Sequence, residues 1–163
     1  MSKHRYPVGP GWWPLLDEVC ADVKALDPEV QLSFKEKYGT CQIDFITEST
    51  EHFNAIYRLT DEAEQTSKTI CEFCGHPGHL HEERSWLQTL CERCAALDPL
   101  ERRKVAEDAK ELYYLAESVA GSMALSDMAL SEEDKERIRH VAADPEAVEE
   151  QVRRLIEKHK RRE

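Results

Sequence analysis

No run of about 18 apolar residues occurs anywhere in this 163-residue chain, so no transmembrane helix is expected. Surplus positive charge is missing too: 33 Asp and Glu outnumber 22 Lys and Arg, a formal net charge of -11. Such a surface repels phosphate backbones, so nucleic-acid binding would need a local basic patch. The densest basic stretch is Arg153 to Arg162, with six Lys or Arg and one acidic residue. A solvated, frayed helix end accounts for it without a ligand. Gly-rich phosphate loops, a G-x-S-x-G elbow and a nucleophile beside a base are all lacking. His81-Glu82-Glu83 starts like a metalloprotease helix, but position 85 is Ser where the second His would stand. No internal repeat is evident, and no catalytic residue is assigned.

An export signal is not expected either. The opening MSKHRYPVGPGWWPLL has a basic start, but Pro7, Pro10 and Pro14 break its apolar part. The expected compartment is a reducing cytoplasm, where cysteines serve as metal ligands rather than as a disulfide framework.

What the chain does have is 34% charged and 40% hydrophobic residues with a mean hydropathy of -0.65. That profile suits a helix-rich protein with a modest core, as one compact domain or a small domain with an extension. Four of its six cysteines form two C-x2-C pairs, Cys71 with Cys74 and Cys91 with Cys94, separated by sixteen residues. This spacing closes one tetrahedral zinc site. Four thiolates fill such a site and leave no position for water or substrate, which marks a structural metal rather than a catalytic one. Coupled folding energy from one Zn2+ is on the order of 10 kcal/mol. Four thiolates and Zn2+ would take the formal charge from -11 to about -13.

Along the chain, the prolines and glycines of residues 1–13 predict an irregular lead-in, with Trp12 and Trp13 as apolar anchors. Pro14 then opens a helix whose stripe is Leu15, Leu16, Val19, Cys20, Val23 and Leu26, ended by Asp27-Pro28. Cys20 reads as a small buried hydrophobe. Residues 29–46 alternate with period two around the turn EKYGT, a β-hairpin; Cys41 lies in its second strand and is left out of the metal site. Residues 49–68 return to helical spacing, capped by Ser49 or Thr50. Phe53, Ile56, Tyr57, Leu59 (or Thr60) and Ala63 are expected to be buried, and Asp61, Glu62 and Glu64 solvated.

Thr69-Ile70 predicts a short strand delivering Cys71, and Cys74-Gly75 a zinc knuckle with Gly75 at positive φ. Trp86, Leu87 and Leu90 lead back in, and Cys91 to Cys94 opens a helix whose positive end lies beside thiolate charge. Knuckle, hairpin and helix make a treble-clef-like module; a zinc ribbon, with the second pair on another knuckle, is the alternative. Between the pairs lie His76, His79 and His81, for which a second metal or a general base competes with plain surface exposure. Beyond residue 96 the pattern is helical. Asp98-Pro99 starts a helix with the stripe Val105, Ala109, Leu112, Ala116 and Val119, Tyr113 alongside, and Gly121 as its stop. Two shorter helices follow, one capped by Ser131 and one started by Asp144-Pro145.

The run VQLSFKEKYGTCQIDF, the acidic helix after it, S-x-x-I-C-E-F-C-G-H-P-G and W-L-Q-T-L-C-E-R-C are similar to one pattern. They resemble a widespread family of small phage and prophage zinc-binding proteins with a V-Q-x-K-E-K-F-G-T-L-R-F-Y hairpin, then C-E-x-C-G-x-P-G and W-x-x-T-L-C. The resemblance spans residues 11–96 and is most specific at Lys35 to Thr40, Cys71 to Gly78 and Trp86 to Cys91. It implies a zinc-bound phage accessory protein, of a kind mostly without assigned activity. Relatives often have His as the fourth ligand, where this chain has Cys94. HNH nucleases share the treble-clef scaffold, but their catalytic His element between the pairs has no counterpart here.

The expected fold is therefore α+β. An N-terminal helix–β-hairpin–helix (αββα) unit covers 1–68, the zinc module 69–96 and a helical extension 97–163. The expected cofactor is one structural Zn2+ on Cys71, Cys74, Cys91 and Cys94. The expected role is a non-enzymatic interaction module whose acidic surface engages a host or phage protein, an inhibitor of a host defence protein being one form. The alternative is a nucleic-acid-binding regulator or a degenerate HNH-like protein.

Overall fold

The computed structural model describes residues 5–82, 86–124 and 131. A 3-10 turn, Pro10–Trp12, leads into α1 (Trp13–Leu26). Then come β1 (Gln31–Lys37), β2 (Thr40–Ile46), α2 (Phe53–Ser67), β3 (His79–His81), β4 (Gln88–Leu90), α3 (Glu92–Ala96) and α4 (Pro99–Ala124). Helices and two small antiparallel hairpins make the fold α+β. The chain divides into two compact units, Met1–Ala106 and Glu107–Glu163. The helices expected from Ser131 and from Asp144-Pro145, and the basic run 153–162, lie outside the described residues.

In the first unit, α1 buries Trp13, Leu16, Val19 and Val23 along one stripe, and Trp12 is buried just ahead of it. The lead-in is more regular than its prolines suggest, because Pro10-Gly11-Trp12 forms a 3-10 turn that runs straight into the helix. Cys20 is a correction. It is half-buried at the margin of the stripe, where its Sγ accepts a long 3.8 Å hydrogen bond from the Tyr6 hydroxyl.

β1 and β2 pair in register from Gln31 with Ile46 to Lys37 with Thr40. The two-residue turn between them, Tyr38-Gly39, has φ of +55° and +73°, the left-handed pair that a tight hairpin requires. The edge of β2 is closed by side chains of α2. Cys41 N–H donates to Ser67 Oγ at 3.0 Å, and Ile43 N–H donates to Glu64 Oε1 at 2.5 Å. Two side chains thus do part of what a third strand would do.

That arrangement corrects the face expected for α2. The buried residues are Ile56, Thr60, Ala63 and Ser67, whereas Phe53 and Tyr57 are 49% and 56% exposed. Close approach to β2 calls for small side chains and hydroxyls, so the helix turns its aromatics to the flank. Both buried hydroxyls are satisfied, Thr60 Oγ1 donating to Tyr57 O at 3.0 Å and Ser67 Oγ to Glu64 O at 2.7 Å. Glu64 is likewise no solvated charge. The helix begins at Phe53 rather than beside Ser49, whose Oγ accepts from His52 N–H in the preceding turn.

Asp98 caps α4: its Oδ1 accepts from Leu100 N–H at 2.7 Å and Glu101 N–H at 3.0 Å, and Glu101 Oε2 reaches back to Asp98 N–H at 3.0 Å. This reciprocal pairing is a capping box. Arg102 and Ala106 are the buried residues of its first turns; Tyr113 and Ala116 are buried in the second unit. Gly121 does not stop the helix, which continues to Ala124, since no proline follows to forbid it.

Candidate metal centre

The first cysteine pair sits on a loop that closes on itself. Cys71 N–H donates to His76 O at 2.8 Å, Gly75 N–H to Cys71 O at 2.9 Å, and Gly78 N–H to Thr69 O at 2.9 Å. Gly75 takes φ +78°, as a knuckle needs. The strand expected at Thr69-Ile70 is only an isolated bridge, Ile70 with Pro77. The chain then forms the β3–β4 hairpin, in register from His79 with Leu90 to His81 with Gln88. Directly after β4, Cys91 is the N-cap of α3, and its Sγ accepts from Cys94 N–H at 3.4 Å. Loop, hairpin and helix start thus bring the two pairs together.

One ligand atom from each of Cys71, Cys74, Cys91 and Cys94 lies within 4.8 Å of all the others. Cys74 Sγ is 3.6 Å from Cys91 Sγ and 3.6 Å from Cys94 Sγ. A tetrahedral ion with metal–sulfur bonds of about 2.3 Å places its sulfurs about 3.8 Å apart, so the donor set is already near that geometry. All six cysteines are free thiols, and the 3.6 Å separations are far beyond a disulfide bond. Four soft donors in this arrangement are compatible with one structural metal ion.

The electrostatics agree. Hydrogen bonds from Cys74 and then Cys94 hold the Cys71 thiol well below the ordinary range, against burial, with backbone N–H groups helping. That negative sulfur in turn pushes Cys74 and Cys94 up, chiefly through the same hydrogen bonds. Without a cation, Cys74 and Cys94 therefore favour their protonated forms beside the Cys71 thiolate, and a divalent cation is what would release those protons. Cys71, Leu90 and Cys94 are fully buried, with Phe73, Ala95 and Val105 packed around them.

The N-terminal segment is part of this site. Gly11 N–H donates to Glu72 O at 2.9 Å, and a Cβ at Gly9 would lie 2.2 Å from that same oxygen. Trp12 Nε1–H is shared between Ser67 O at 3.0 Å and Ile70 O at 2.9 Å, tying the end of α2 to the segment leading to Cys71. From the other side, Thr89 Oγ1 donates to Gly39 O at 2.6 Å and fixes the β1–β2 turn on the second hairpin. Glu72, buried between these parts, accepts from Gln88 Nε2, and burial pushes its carboxyl up to about 8. Among protein atoms of the described residues, Glu72 Oε2 and Arg102 Nη1 are buried without a hydrogen bond. Neither Glu72 nor the glycine strap stood out in the sequence. The available signal was the G-x-G-W-W spacing, which reads as punctuation until the knuckle is seen beneath it.

None of the histidine side chains belongs to the sulfur cluster, although a backbone hydrogen bond from His76 reaches Cys74. His76 contributes its carbonyl to the knuckle, while His79 is exposed and His81 buried on β3, their rings 4.3 Å apart. Among the described residues, the four cysteines are the only group of three or more metal-ligating side chains brought together. Trp86, expected to lead inward, is 66% exposed just before β4. No helix among the described residues is long and apolar enough to cross a membrane. No protein-family model matches the chain, and neither does any curated protein or any solved structure.

Proposed function

We propose that Cys71, Cys74, Cys91 and Cys94 hold one structural Zn2+ in a treble-clef-like module, and that the protein is a non-enzymatic interaction module of phage or prophage type. The observation that carries the metal reading is the all-sulfur donor set with 3.6 Å separations, two of its cysteines fully buried. Bound zinc would supply charge compensation and a cross-link; the chain supplies the cage, with Cys91 at a helix start and N–H groups aimed at sulfur. A cage filled by four protein ligands has no open position for substrate, which directs function to the surfaces that it holds in place.

The interaction reading rests on the formal charge of -11 and on large apolar side chains left outside. An acidic protein competes for basic grooves, so a host or phage protein with a basic surface is the partner we propose, a defence nuclease being one form. Metal analysis of the purified chain tests the first half: one zinc per chain supports it, and a chain that folds equally well with none removes it. For the second half, the tagged zinc-loaded protein is passed over host lysate at rising salt. Capture of one basic protein, released by salt, is expected; recovery of nothing above background removes the reading.

A further inference from the structure

The interaction reading leaves open which surface is used, and α2 offers one that its own packing creates. Phe45 on β2 and Phe53 on α2 meet at 5.3 Å between ring centroids, and Tyr57 follows Phe53 one helical turn on. Phe53 and Tyr57 are 49% and 56% exposed, although both would have filled a conventional amphipathic stripe. They are displaced because Thr60 and Ser67 occupy the face toward β2. The result is an aromatic patch on a rigid helix, the residue class that anchors interfaces.

Charge decides between possible occupants. The segment 47–67 exposes Glu48, Glu51, Asp61 and Glu62 against the single Arg58, a formal -3, with Glu64 turned toward β2. Nucleic acid and anionic lipid would meet like charge there. A second copy docked about a two-fold axis would bring two such rims together, which disfavours self-association. A segment with aliphatic side chains beside lysines or arginines matches both the patch and its rim.

We propose that Phe45, Phe53 and Tyr57 form the docking surface for a basic, aliphatic-bearing segment of a partner protein. This rests on the interaction reading above. The aromatics bury the aliphatic side chains, and the acidic rim draws and orients the basic ones.

The test uses the full zinc-loaded chain, labelled with 15N, and three synthetic peptides of equal length: Leu/Lys amphipathic, all-Lys and Leu/Glu amphipathic. We expect the Leu/Lys peptide to shift amide resonances around Phe45 and from Phe53 to Asp61. Its affinity should exceed that of the all-Lys peptide and fall at least tenfold in the Phe53→Ser/Tyr57→Ser variant. The Leu/Glu peptide should not bind. Both substitutions are at exposed positions, and an unchanged thermal melt of the variant would show that its fold persists. Should the variant melt early, Tyr57→Ser alone repeats the measurement. Shifts centred elsewhere, or unchanged affinity in the folded variant, overturn this surface while leaving a basic-partner module standing. Absence of binding by every basic peptide overturns both.

Discussion

Gly11 lies so close to Cys71 that a methyl group on its Cα would sit 2.0 Å from the Cys71 carbonyl oxygen and 2.5 Å from Gly75 N. The opposing atoms are backbone, held by the knuckle's own hydrogen bonds, so neither side can yield by rotating a side chain. Gly11→Ala should therefore lift the N-terminal strap off the metal loop, at about 3 kcal/mol by analogy with overpacked cores. We expect a lower melting temperature and faster zinc transfer to a chromophoric chelator. Unchanged values for both would show that the strap is not coupled to the metal.

The second prediction concerns the edge of β2. Ser67 Oγ is the partner of the Cys41 N–H, and both residues are fully buried. Ser67→Ala leaves that N–H without a partner where water does not reach, a loss of about 1–3 kcal/mol. Chemical denaturation should show this drop with an unchanged dependence on denaturant. A stability equal to that of the parent chain would mean that the edge is paired in some other way.

Legibility in the sequence followed periodicity and spacing. The stripe of α1, the alternation in 31–46 and the C-x2-C pairs are local signals, and each appears as an element or a cluster. What hydrophobic counting cannot see is a choice made by a neighbour. Phe53 and Tyr57 carry far more apolar surface than Thr60 and Ser67, yet β2 presents unpaired N–H groups that only polar side chains can meet. Gly9 and Gly11 were equally silent, because a close backbone approach involves a segment some sixty residues away in the chain. The end of α4 lies beyond Gly121 for the opposite reason: a glycine weakens a helix without ending it when its neighbours remain helix-compatible.

The third prediction uses thiol chemistry. Burial, with a smaller contribution from Glu64, pushes the Cys41 thiol up to about 12 from an ordinary 9.0. The folded state thus prefers the protonated form. Its stability contribution is whole below pH 9.0 and is lost as pH climbs toward about 12. At pH 8 the zinc-loaded protein should take one slow maleimide adduct, at half-buried Cys20, whose thiol burial also raises. Mass spectrometry should find Cys41 unmodified until denaturant is added. Rapid native labelling of Cys41 would contradict its burial.

The last prediction separates the proposed partner class from nucleic acid. With zinc bound, the formal charge is about -13, and the segment around the aromatic patch is itself acidic. The best local candidate for phosphate binding is the run Arg153 to Arg162, six Lys or Arg against one acidic residue. Six phosphate contacts would give a salt slope of roughly -5 and firm retention at low ionic strength. We expect the zinc-loaded chain to pass through a heparin column at about 100 mM salt, because repulsion from the rest of the surface opposes those contacts. Retention at that salt, abolished by substituting Arg161 and Arg162 with Ser, would transfer the assignment to a nucleic-acid-binding regulator. Flow-through, with binding of the Leu/Lys peptide intact, leaves the acidic surface as the working face of the protein.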